Sequence, residues 1–141
     1  QVATYHYGIP HVACYSGGTE ETALSPLIAE TLANQGFLIL NIAAGDNPIY
    51  ALKYGINGIP ILGFSKKYDH ALNPTSDFAA IMTCSQADTG CPFISGAAQR
   101  IAITYEDPKI ADGTAQQKNV YVQRSLEIAT EMYYVFSTIK L

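Results

Sequence analysis

Two thiols and a carboxylate, Cys84, Cys91 and Asp107, are the residues of this chain best suited by type and spacing to do chemistry. Cys84 ends the apolar run Phe78-Ala79-Ala80-Ile81-Met82-Thr83, and Cys91 follows across Ser, Gln, Ala, Asp, Thr and Gly. Thiols so spaced can close a disulfide in one conformation of a pliable segment and part in another. The same spacing also suits two ordinary thiols acting as small apolar side chains, and both readings stay open at this point. Asp107 precedes Pro108, which biases it away from helical geometry and fixes a loop. Screened from water there, its carboxyl would hold a proton to higher pH and serve as a general acid; in water it is a turn aspartate. Cys14 reads as a packing residue. His6, His11 and His70 share no ligand-like spacing, so no metal site is expected.

These groups need elements to position them. Gln1 to Gly8 reads as the last turns of a helix closed by glycine. A helix entered without a start signal leads us to expect further polypeptide upstream of Gln1. His11 to Ser16 reads as a short strand carrying Val12, Cys14 and Ser16 on one side, stopped by Gly17-Gly18. Ser25-Pro26 is a helix N-cap followed by proline at the first helical position. Leu27, Ile28, Thr31 and Leu32 give that helix an apolar stripe, and Gly36 ends it. Around Asn57-Gly58, a dipeptide that favours tight hairpin turns, Ile49–Tyr54 and Ile59–Phe64 read as a hairpin with Pro60 at its edge. Phe78 to Thr83 barely alternates, as expected of a strand buried on both faces of a parallel sheet. Gln99 to Tyr105 reads as the next strand. Thr114 with Gln117 forms a capping box for a long final helix. Tyr121, Arg124, Ile128, Met132, Val135 and Ile139 recur at helical steps, giving it one face for the sheet. Strands alternating with helices imply a mostly parallel, three-layer α/β domain.

The bulk numbers exclude several classes of function. The 141 residues suit one domain with one core, and 48% apolar against 14% charged residues reads as globular. A net charge of −4, with Lys66-Lys67 the only adjacent basic pair, leaves no general attraction to nucleic acid or anionic lipid. No apolar stretch approaches the roughly 20 residues that span a bilayer. No leader is expected at the start. Three cysteines do not make a secreted disulfide framework, so the cytoplasm is the expected compartment.

Several segments, in order along the chain, resemble the low-molecular-weight protein tyrosine phosphatase superfamily. Tyr15-Ser16-Gly17-Gly18-Thr19-Glu20, with Ala23-Leu24-Ser25-Pro26, is similar to the segment that follows the first helix of that superfamily. Met82-Thr83-Cys84 and Gly90-Cys91-Pro92 resemble the strand end and second thiol of its thioredoxin-coupled arsenate reductase branch. Tyr105-Glu106-Asp107-Pro108 resembles the loop that carries its general acid. The resemblance implies a three-layer α/β/α domain with strand order 2-1-3-4. It also implies a small oxyanion substrate, arsenate or phosphate, or a phosphotyrosine, and no bound cofactor. Cys84 and Cys91 would pass a disulfide to a thioredoxin-like reductant, with Asp107 as acid.

Two departures bear on that expectation. Asn41 to Lys67 is longer than in compact relatives, so the hairpin there is expected to be an insertion. The family's nucleophile sits in a C-x5-R loop between the first strand and first helix, where backbone N–H groups and the arginine hold the oxyanion. Here the sixth residue after Cys14 is Glu20, after Cys84 Gly90, and after Cys91 Ala97. The expectation is therefore of the later part of such a protein. Its central strand and nucleophile loop would come from outside these residues, since otherwise two central strands would be left without neighbours.

Overall fold

The computed structural model describes residues 1–83 and 94–140. They form a mixed α/β structure that divides into two compact units. The first comprises Gln1–Cys14, Leu24–Phe64 and Pro108–Leu141, and the second Tyr15–Ala23 and Ser65–Asp107.

In the first unit, α1 (Val2–His6) ends as expected before Gly8, whose φ of +66° suits glycine after a helix. Helix α2 (Pro26–Asn34) starts where the proline predicts, and Ser25 Oγ accepts a hydrogen bond from Leu27 N at 3.4 Å. Three antiparallel strands follow, β1 (Leu38–Ala43), β2 (Ile49–Lys53) and β3 (Ile61–Gly63), in the order β1-β2-β3. The expected hairpin is thus present as β2 and β3, but it is joined by β1, which the sequence reading left unassigned. The hairpin connection is also wider than a two-residue turn. Leu52 pairs with Ile61, and Gly58 N donates to Gly55 O at 3.1 Å, so Gly58 closes a turn rather than sitting at its centre.

The long helix α3 (Gln117–Ser137) is capped differently from the expected box. Thr114 Oγ1 accepts from Gln116 N, while the Gln117 amide reaches Asp112 Oδ1 at 3.0 Å. Its covered face overlaps the expected one only in part, at Tyr121, Arg124 and Met132. Tyr121, Ser125, Ala129, Met132 and Phe136 are buried or half-buried, whereas Ile128 and Val135 are exposed. The reason is the partner: α3 packs against α1, α2 and the 3-10 turn Pro108–Ala111. Close helix approach suits small side chains such as Ser125 and Ala129. Tyr121 is 6% exposed, and its hydroxyl donates to Asp112 Oδ1 at 3.0 Å, so the buried oxygen is satisfied.

In the second unit, β4 (Phe78–Met82) and β5 (Ala97–Ala102) pair in parallel, as an α/β reading expects. Met82 and Ile94 form its core with Tyr68, Phe78, Ala80 and Ala97. Burial on both faces of β4 is corrected: Phe78 and Ala80 are half-buried and Met82 buried, but Ala79 and Ile81 are exposed. No helix occurs among the described residues of this unit to cover the second face. The expected strand from His11 to Ser16 is also corrected, since those residues form no ladder. A strand exists only with a neighbour to bond, and among the described residues only nearby Gly18 finds one, in an isolated parallel bridge with Lys67.

Candidate functional site

The carboxyl edge of the β4–β5 pair is the place where an open α/β sheet presents ligand-binding groups. Pairing runs on past both strands there. Ile103 N donates to Met82 O at 3.0 Å, and Tyr105 N to Thr83 O at 2.7 Å. Thr83 immediately precedes Cys84 in sequence, and Tyr105 lies two residues before Asp107. Asp107 is exposed, ahead of the 3-10 turn that begins at Pro108. Cys84 and Cys91 lie outside the described residues.

Each of the remaining candidates has its own local partners. Cys14 is exposed, not packed within a strand, and its amide donates to Gln1 Oε1 at 3.1 Å. His6 stands edge-on to Tyr7 and Tyr133, with ring centroids 4.8 and 5.2 Å away. His70 Nδ1 accepts from Leu72 N at 3.1 Å, which shapes its own loop.

The sequence reading missed a clamp in the second unit that fastens residues 16–18 to residues 66–73. Gly18 N donates to Lys66 O at 2.9 Å, and Tyr68 N to Gly18 O at 3.0 Å. Lys66, only 5% exposed, donates from Nζ to Ser16 Oγ at 3.0 Å, and burial pushes its ammonium pKa down. Asn73 completes the clamp, its side-chain amide nitrogen contacting the carbonyls of Ser16, Lys67 and Tyr68 at 3.1, 3.3 and 3.1 Å. Gly17 allows the close approach: a Cβ there would lie 2.6 Å from Tyr68 Cα. Asn73-Pro74 reads in sequence as a plain turn, and nothing local marks the amide's long-range partners.

Beside the clamp lies a recess of about 170 Å³, walled by Tyr68, His70, Asn73, Phe78 and Ile94. Asn73 Oδ1 is buried without a hydrogen-bond partner among the described residues. Among its described walls, which also include Asp69, the recess has aromatic rings and one spare acceptor nearby but no cluster of positive charges to hold an oxyanion.

No protein-family model matches the chain, and a search of curated proteins finds no match. Among the described residues, no helix is long and apolar enough to cross a membrane.

Proposed function

We propose that this chain belongs to an arsenate reductase-like enzyme that converts arsenate to arsenite through a relay of cysteines. Its fold would be the three-layer α/β/α arrangement of the low-molecular-weight tyrosine phosphatases, working in the cytoplasm without a bound cofactor. The observation that carries this reading is the parallel register of β4 and β5, extended by the Tyr105–Thr83 hydrogen bond. The relay needs the chain after Thr83 and the chain after Tyr105 to share one sheet edge, and the pairing of those two residues supports it.

In the proposed sequence, a thiolate from a C-x5-R loop attacks arsenate, and Asp107 protonates the departing oxygen. The Cys84 thiolate then attacks the sulfur of that adduct. Arsenic leaves as arsenite, taking two electrons, while the two sulfurs form a disulfide. Cys91 attacks Cys84 in turn, frees the first thiol and leaves a Cys84–Cys91 disulfide for a thioredoxin-type reductant. The C-x5-R loop is absent from these 141 residues, so the reading requires another stretch of polypeptide to supply it.

The direct test joins that stretch to the chain and follows arsenate-dependent oxidation of NADPH through thioredoxin and its reductase. Turnover should vanish in Cys84→Ser and Cys91→Ser. Aryl phosphate hydrolysis that survives both substitutions would make the protein a phosphatase instead. Coding sequence upstream of Gln1 without a strand and C-x5-R loop would remove both enzymatic readings.

A further inference from the structure

Strand β1 lies at an edge of its sheet, and among the described residues no strand but β2 bonds it. Edge strands are ordinarily blunted by charge, proline or shortness. The opposite edge, β3, is so blunted: it is three residues long and follows Pro60. By contrast β1 is six residues, Leu-Ile-Leu-Asn-Ile-Ala, with neither charge nor proline. Its register with β2 and β3 places Leu38 and Leu40 on one face with Lys53, Ala51 and Leu62. On that face Leu38, Leu40 and Leu62 are 54%, 50% and 44% exposed. Ile39 points to the other face and is half-buried.

We propose that a second copy of this chain pairs with β1, antiparallel about a two-fold axis at Ile39. An axis perpendicular to the sheet keeps each face on its own side, so a symmetric antiparallel pair centres on a residue, not between two. Centred on Ile39, Leu38 of each copy faces Leu40 of the other. The pairing stops short of Ile42, the extra residue of the bulge against β2. Opposed aliphatic pairs are the unit of sheet stabilisation, and an uncharged strand meets its own copy without repulsion. A charged partner strand would find nothing on β1 to pair with. A single pair of strand segments makes a small interface of the transient class, so the association depends on concentration.

Sedimentation velocity of the full chain under reducing conditions, from roughly 1 to roughly 200 μM, tests this through mass action. The weight-average mass should rise toward that of a dimer. Leu40→Lys and Leu38→Glu should each stay monomeric with unchanged circular dichroism. Their equimolar mixture should associate again, because the introduced ammonium then faces the introduced carboxylate. Leu126→Lys, on an exposed position of α3, should associate like the parent. A parent chain monomeric throughout, a Leu40→Lys variant that still dimerises, or a mixture that stays monomeric would each overturn the proposal.

Discussion

The amide of Tyr105 donates to the carbonyl of Thr83 at 2.7 Å, just beyond the last assigned residues of two parallel strands. One stretch of chain is about to reach Cys84 and the other Asp107. Because the strands are parallel, both leave the sheet at the same edge. An antiparallel pair would have sent them to opposite edges.

The relay makes a prediction for the isolated chain. Mild oxidation should link Cys84 to Cys91, lowering the mass by about 2 Da. Cys14, exposed in the first unit, should remain open to alkylation. Peptide mapping that finds Cys14 in the bridge would exclude a Cys84–Cys91 relay.

Asp107 should matter to turnover in the chain joined to its C-x5-R loop. Asp107→Asn should lower kcat by about 10²–10⁴, the usual worth of a positioned acid. Glu106→Gln, which alters the neighbouring exposed carboxylate, should leave kcat nearly unchanged. Equal effects of the two would remove Asp107 from its role.

The Asn73 clamp can be tested by stability. Asn73→Ala should cost about 0.5–1.5 kcal/mol in urea unfolding, the net worth of an ordinary hydrogen bond, since water can reach two of the three carbonyl contacts. Asn73→Asp should cost more than alanine, because it sets a negative acceptor against three carbonyls. If aspartate proves the milder change, the amide is not a donor there.

Capping of α2 offers a smaller test. Ser25→Ala should lower stability by about 1 kcal/mol, and Ser25→Gly by only a few tenths. The contrast is read from chemical denaturation midpoints of the two variants.

Lys66 should leave a mark on the pH dependence of stability. Its folded pKa lies below the ordinary 10.5 because burial disfavours the ammonium. The folded state therefore binds this proton more weakly than the unfolded state, which costs stability at neutral pH. That cost fades as pH rises from the lowered value toward 10.5, so Lys66 makes stability climb there. Lys66→Met should abolish the climb, visible as a parent-minus-variant difference that grows as pH approaches 10.5. A difference flat with pH would mean that Lys66 titrates like a solvated lysine.

Much of this architecture is legible in local pattern. Ser25-Pro26 marks the start of α2, and the apolar run at Phe78 marks β4. Periodicity also finds the existence of α3, but not which of its faces is covered, because that depends on whether a sheet or another helix lies beneath it. Residues 11–16 have the composition of a strand but no neighbouring strand among the described residues, so they form no ladder. In the candidate site, Cys84, Cys91 and Asp107 are recognisable by type and order, whereas Asn73 is invisible: its carbonyl partner at Ser16 lies 57 positions away.

The sequence by itself determined the end of α1, the start of α2, the apolar runs and the order of Cys84, Cys91 and Asp107, because caps, proline and side-chain periodicity act within a few residues. Only the tertiary structure decided that β4 and β5 run parallel, that β1 completes a separate antiparallel sheet, and that an asparagine amide ties two distant loops. Those outcomes depend on which backbone groups find partners across long stretches of chain, and no local pattern encodes that choice.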